Sequence, residues 1–190
     1  MRIIAGAHGG RTLKTVEGPG YRPAMARVRE SLFSMLESRG VVWHGLRVLD
    51  LFAGSGSLGF EALSRGAEEA WFIDNNPKAA ECIRRNAATL GIAESRCTVL
   101  SEDISRIISR RARAAFDVIF IDPPYGQDRL LPTLRSVMRN GWLAEDGMLA
   151  AEVELALKLD AEKAHPDLEP VVDRTYGQTR IVVWMPRSDA

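Results

Sequence analysis

The sequence predicts an α/β fold built on a mainly parallel sheet with helices on its faces. From residue 47 onward, short apolar runs alternate with stretches of helical apolar spacing. That is the pattern of strand–helix units sharing one sheet. The runs are nearly continuous in apolar residues, as strands covered on both faces are. Polar residues able to carry chemistry follow directly after the runs, and open parallel sheets bind ligands beyond the carboxyl ends of their strands.

Residues 47–52 read as the first strand and lead into Ala53, Gly54, Ser55 and Gly56. A helix over 57–66 carries Leu58, Ala62 and Leu63 on one face and stops at Gly66. Residues 70–73 are a second strand closed by Asp74. Pro77 opens the next helix at a favoured first-turn position, and Gly91 ends it. Residues 98–100 are a third strand, and 104–114 a basic helix with Arg106, Arg110, Arg111 and Arg113. Residues 116–121 form the most apolar strand, which Pro123 and Pro124 must stop. A helix over 128–140 is capped by Gly141, and 148–153 is a fifth strand. Pro166 and Pro170 argue for a loop within 154–170. Residues 171–174 and 179–184 read as a terminal antiparallel pair around Tyr176 and Gly177, with 186–190 a frayed tail.

Residues 1–46 stand outside the alternation. Residues 3–6 and 11–13 are expected to pair as a small hairpin across Gly9 and Gly10. Val28, Leu32, Met35 and Leu36 make a helical stripe through 24–38. The expected organisation is an arm, 1–46, packed on a main domain, 47–186.

The 190 residues are 46% hydrophobic and 26% charged, the balance of an ordinary globular domain rather than a disordered chain. No apolar run approaches the roughly 18–20 residues that cross a bilayer, and the apolar start is too short for a signal peptide. Cys82 and Cys97 fit neither a disulfide framework nor a zinc motif, and His8, His44 and His165 are scattered. A cytoplasmic monomer without metal is the expectation.

The net charge is zero, from 25 basic and 25 acidic residues. Residues 1–47 nevertheless hold eight basic residues against three acids, a net of +5, so the remainder is −5. A basic arm on an acidic body suggests a phosphate-bearing partner. Of the 25 basic residues 21 are arginine, which suits bidentate phosphate contacts.

Gly54–Gly59 matches G-x-G-x-x-G, between a strand and a helix, with Asp74 twenty residues past the first glycine. These features are compatible with a dinucleotide, whose ribose hydroxyls Asp74 would accept. Asp50, at the mouth of the loop, favours another ligand: it would repel a diphosphate but attract an ammonium. S-adenosylmethionine carries a sulfonium and an ammonium and no phosphate. Asp103 is placed to accept from an adenine amine, although Asp103 or its neighbour Glu102 can instead cap the following helix.

Asp122-Pro123-Pro124-Tyr125 is the sharpest signal. Two prolines fix the turn and remove two N–H donors, so it presents acceptors, the Asp122 carboxylate and the Pro123 carbonyl, beside the Tyr125 ring. That set suits an exocyclic amine on a planar base. Such an amine is a poor nucleophile because its lone pair is delocalised into the ring. Acceptors that hold its hydrogens favour a pyramidal nitrogen and stabilise the charge that develops as it attacks a methyl group. The acceptors do not distinguish guanine N2 from adenine N6. The base must leave its helix to reach the turn, and Arg2, Arg11, Arg22, Arg27 and Arg29 are candidates to hold phosphates meanwhile.

The loop from Asp50 to Gly59 and the turn from Asp122 to Tyr125 resemble the cofactor and catalytic motifs of Class I S-adenosylmethionine-dependent amino-methyltransferases. The arm narrows this. Residues 2–6, 10–13, 22–23 and 27–33, with 61–66 and 140–143, resemble the RsmD family over nearly the whole chain. The resemblance implies a Rossmann-like Class I methyltransferase fold on a seven-stranded sheet. It implies a bacterial guanine-N2 methyltransferase of 16S rRNA, acting on an assembled or partly assembled 30S particle. The cofactor would be held by Asp50, Phe52, Ala53, Gly54, Ser55, Gly56, Leu58, Gly59, Asp74, Asn75, Asp103 and Ile104, and the guanine by Asp122, Pro123, Pro124 and Tyr125. One departure stands out: Ala24, Met25 and Ala26 replace the family's threonine and aspartate, removing a polar helix cap. Three other functions fit parts of the sequence: an adenine-N6 methyltransferase, a nicotinamide-dependent oxidoreductase, and an RNA-binding assembly factor without catalysis.

Overall fold

Side chains alternate across each strand, and that alternation divides the interior of the computed structural model into two cores. The structure describes residues 1–16, 26–124 and 126–187. Its strands are β1 (Arg47–Leu51), β2 (Glu69–Ile73), β3 (Cys97–Leu100), β4 (Phe116–Ile121), β5 (Leu143–Glu154), β6 (Leu168–Tyr176) and β7 (Thr179–Pro186). They form one seven-stranded sheet in the order β3-β2-β1-β4-β5-β7-β6. The first five are parallel, and β7 runs antiparallel between β5 and β6.

The helices are α1 (Ala26–Ser38), α2 (Ser57–Arg65), α3 (Pro77–Leu90), α4 (Ile104–Ile108) and α5 (Leu130–Arg139). Val48, Phe72, Phe120 and Ala150 pack beneath α1, α2 and α3, with Ile3 and Leu13 of the N-terminal segment in the same core. Leu49, Ile73, Ile119, Ala151 and Trp184 face α4 and α5. Strand order reverses direction between β1 and β4, so the crevice at their carboxyl ends is the expected ligand site. Among the described residues, no helix is long and apolar enough to cross a membrane.

Several expected elements change in extent. The basic helix expected over 104–114 ends at Ile108. Past that point no large apolar residue continues the stripe, and partners from beyond α5 take the carbonyls: Asn140 Nδ2 donates to Ile108 O at 2.8 Å and Trp142 Nε1 to Arg110 O at 2.9 Å. Pro170, expected in a loop, lies within β6. It is tolerated because β6 is an edge strand and its register with β7 shifts between Pro170 and Val172. The fifth strand starts at Leu143, where it pairs with Phe116. The N-terminal hairpin is reduced to a bridge between Arg2 and Thr12, with Ile3 N donating to Arg11 O at 3.0 Å.

Candidate active site

The glycine loop is held closed by two acids. Asp50, at the end of β1, accepts from Gly59 N at 3.0 Å and so ties the first turn of α2 back to the strand. Asp74, just past β2, accepts from Gly54 N at 2.8 Å and from Asn76 N at 2.8 Å. Both are buried, Asp50 at 2% exposure and Asp74 at 6%. Burial, with the nearby Asp74 charge, pushes Asp50 up to about 8 against the opposing pull of the Gly59 N–H. Between them Phe52 takes φ 62°, a left-handed conformation that costs a non-glycine residue on the order of 1–3 kcal/mol.

The later glycines of the loop serve aromatic packing. A Cβ on Gly59 would lie 2.3 Å from Phe72 Cε1, and one on Gly56 would lie 2.7 Å from Phe60 Cε2. Leu58 and Ile104, both expected to touch a cofactor, are core residues at 5% and 4% exposure. Their side chains pack on opposite faces of the sheet. Ser55 Oγ accepts from Val16 N at 2.9 Å, so the N-terminal segment touches the loop. Ala53 is buried, with its amide donating to Ile73 O at 3.1 Å, and Asn75 is exposed. Asp103 is exposed and caps α4: it accepts from Arg106 N at 3.1 Å and from the Ser105 hydroxyl. The Ser105 hydroxyl and the Arg106 amide hold its carboxyl below the usual carboxylate range.

At the end of β4, Asp122 N donates to Leu51 O at 3.4 Å, joining the two-proline turn to the strand that leads into the glycine loop. Tyr125 lies outside the described residues. Alternation places Asp50, Asp122 and Glu152, from β1, the end of β4 and β5, on the face of Val48, Phe120 and Ala150, with Asp122 and Glu152 level and Asp50 two residues lower, opposite Phe120. Asp122 is raised well above the ordinary carboxylate range by burial and by its neighbours Glu152 and Asp50. Burial also raises Glu152, against a hydrogen bond from the Thr179 hydroxyl. Glu152 had no assigned role in the sequence. Its signal there is an acid inside an otherwise apolar strand, in step with Asp122.

Glu154 Oε1 accepts from Gly126 N at 2.7 Å and holds the loop after the turn against β5. Beside it a cavity of about 200 Å³ opens among Pro123, Pro124, Leu130, Val153, Leu157 and Lys158. These acids therefore sit between the glycine loop on one side and this cavity on the other. Among the described residues, no cluster of side chains is suited to a metal.

The basic arm divides into two kinds of arginine. Arg2 and Arg27 are exposed. Arg11 is exposed as well and also caps the last turn of α3, donating to Thr89 O at 2.5 Å and Leu90 O at 3.2 Å. Arg29 is 1% exposed and donates to Arg2 O. Burial lowers its pKa, with Glu61 pulling the other way, and among the described residues its Nε and Nη1 have no partner. An interior guanidinium does not meet a phosphate at the surface, so Arg29 is corrected from a candidate RNA contact to an internal residue. Arg22, with Ala24 and Met25, lies outside the described residues. The arm is anchored on α2, where the fully buried Glu61 accepts from Ile4 N at 2.7 Å and Ala5 N at 3.0 Å, and Ser64 Oγ accepts from His8 N at 2.9 Å.

Residues 1–185 match the family model described as conserved hypothetical protein 95. A relative from Bacillus subtilis, provisionally named rRNA methyltransferase YlbH, is 38% identical over 189 residues, covering 98% of this chain and all of its own length. The Escherichia coli ribosomal RNA small subunit methyltransferase D is 36% identical over 155 residues, covering 82% of this chain and 75% of that protein. Among solved structures, the Escherichia coli protein yhhF, provisionally described as a methyltransferase, superposes with a TM-score of 0.84 at 30% identity, covering all of this chain and 99% of that one. The fold is that of the Class I methyltransferases.

Proposed function

The chain belongs to the conserved hypothetical protein 95 family, the RsmD family, and from that premise we propose that it methylates ribosomal RNA. The finer proposal is transfer of a methyl group from S-adenosylmethionine to the exocyclic N2 of a guanine in 16S rRNA. The observation that carries it is the backbone link from Asp122 to Leu51, which sets the amine-accepting turn beside the cradle begun by Asp50.

The residues present fit the cofactor. Asp50 offers a carboxylate to an ammonium, the first amides of α2 suit a carboxylate, and Asp74 offers acceptors to ribose hydroxyls. Asp103 is the proposed acceptor for the adenine amine. When bound, the cofactor supplies an electrophilic methyl group on a positively charged sulfur.

Asp122 and the Pro123 carbonyl accept the two hydrogens of the amine, and the Tyr125 ring is the proposed stacking face. Held this way, the nitrogen directs its lone pair at the methyl carbon. Asp122 and the Pro123 carbonyl would keep the nitrogen in line as its N–C bond replaces the C–S bond, whose electron pair would remain on sulfur. The nitrogen then gives up one proton to the Asp122 carboxylate and on to water. Residues 1–46 act in this proposal as an arm on the catalytic domain of 47–186, with exposed Arg2 and Arg27 on phosphates. The proposed substrate is RNA in an assembled or partly assembled 30S particle, met by a monomer.

Mass-spectrometric mapping of methylated nucleosides in small-subunit RNA, from cells with and without this protein, tests the proposal. Loss of one N2-methylguanosine is the expected result. Loss of an N6-methyladenosine instead, or no change, would overturn it.

A further inference from the structure

We propose that Glu152 selects guanine by accepting the hydrogen of its ring nitrogen N1 while Asp122 holds the neighbouring N2 amine. The inference rests on the methyl-transfer reading above and adds what the two-proline turn alone does not supply. Asp122 and the Pro123 carbonyl present only acceptors, and an amine on guanine or on adenine satisfies them equally well.

The two bases differ at the atom beside the amine. In guanine, N1 next to C2 carries a hydrogen and donates. In adenine, N1 next to C6 is bare and accepts. A carboxylate at that point gains a charge-assisted hydrogen bond from guanine and meets the lone pair of adenine with like charge.

Glu152 occupies that point. Ile121 pairs with Ala151 in the parallel ladder, so Asp122 and Glu152 follow on neighbouring strands, about 4.8 Å apart. Both fall on the face of Phe120 and Ala150. The groups are near enough that the charge of Glu152 raises Asp122. Glu152 is half-buried rather than sealed in, so a base can reach it. The Thr179 hydroxyl, from β7, donates to the carboxyl and holds it in place. Glu154, two residues on, is committed to the Gly126 amide and closes the loop instead. The carboxylates thus divide into three tasks: Asp50 for the cofactor's ammonium, Asp122 for the reacting amine, Glu152 for the ring N–H. Accepting the N1 hydrogen also pushes electron density toward N2, the atom that must attack.

The test uses small-subunit particles reconstituted with RNA whose target nucleotide is guanosine or 2-aminopurine. 2-Aminopurine keeps the amine on C2 but has a bare N1. Wild-type protein is expected to prefer guanosine in kcat/KM by at least about 100-fold, a floor beneath the roughly 10,000- to 100,000-fold by which sites built for a donor reject an analogue lacking it. In Glu152→Gln, whose amide can donate to a bare N1, the preference should fall below about 10-fold. Its S-adenosylmethionine affinity, read by calorimetry, should stay within a few-fold of wild type. Glu152→Asp should keep the preference. An unchanged preference in Glu152→Gln overturns the inference. So does equal use of the two bases by wild-type protein, which decides the matter even if the variants fail to fold. Failure of wild-type protein to methylate guanosine at N2 in these particles overturns the underlying reading instead.

Discussion

The Asp74 carboxylate accepts the Gly54 amide at 2.8 Å, so the residue closing the second strand also fixes the start of the glycine loop twenty residues earlier. One side chain thereby shapes the loop and, in the proposed function, would accept from the cofactor's ribose. Asp74→Asn keeps an acceptor for Gly54 but loses the charge. Its affinity for S-adenosylmethionine is expected to fall about 10- to 100-fold, because charge-assisted hydrogen bonds to the hydroxyls become neutral ones. Titration calorimetry checks this, and an unchanged affinity would remove Asp74 from the cofactor site.

Asp50 gives a prediction with a definite sign. Its carboxyl is pushed up to about 8, so at about pH 7 it is mainly protonated before the cofactor binds. An arriving ammonium favours the charged form, and a proton must leave. Calorimetry at about pH 7 in buffers of different ionisation enthalpy should show release of close to one proton on binding. The release should fade near pH 9, where Asp50 is already ionised, and vanish in Asp50→Asn. The same shift makes the unliganded protein lose stability as pH rises from about 4 to about 8. Over that range the unfolded chain has released the proton and the folded one retains it. Thermal melts of wild type and Asp50→Asn across that range should therefore converge at the acid end and separate toward the alkaline end.

Asp122 is likewise raised, by burial and by Glu152 and Asp50, and its ionised form is the stronger acceptor. Turnover should climb with pH through a limb lying above the ordinary carboxylate range. Asp122→Ala is expected to lose at least about 1,000-fold in kcat with cofactor affinity nearly intact, since oxyanion-type electrostatic groups contribute on that scale. Asp122→Asn, which keeps one acceptor, should retain more activity and lose the limb. Activity of Asp122→Ala within a few-fold of wild type would exclude the assigned role.

The arginines of the arm separate by burial. Arg2 and Arg27 are exposed, and replacing both by alanine should weaken RNA binding and reduce the slope of log affinity against log salt by roughly 1.4 to 1.8, about 0.7–0.9 per phosphate contact. Filter binding at several salt concentrations reads this directly. Arg29→Met should leave the slope unchanged. Its thermal midpoint should hold or rise, because an interior cation whose Nε and Nη1 have no partner among the described residues gives way to an apolar chain of similar length.

Much of this molecule was legible locally. The strand–helix alternation, the Gly54–Gly59 loop and the Asp122-Pro123-Pro124 turn depend on neighbours within a few residues. Prolines fix φ, glycines permit tight turns and apolar spacing sets the period. The sheet's parallel core, and the positions of Asp50 at the end of its strand and of Asp74 and Asp122 just past theirs, follow from the same signals. The length of α4 did not, because the side chains of Asn140 and Trp142, thirty-two residues away, take the carbonyls that would continue it.

By itself, then, the sequence determined the fold class and the residue types at the mouth of the crevice, since both are written in short-range pattern. Only the tertiary structure decided what each charged residue meets. Arg11 and Arg29 look alike as members of a basic arm. One caps α3 and the other is enclosed between the arm and α2, because packing brings Leu90 and Glu61 to them from far along the chain. Glu152 looks like a strand residue until parallel pairing sets it beside Asp122. Charge is a property of the residue, but its partner and its dielectric surroundings are properties of the packed chain.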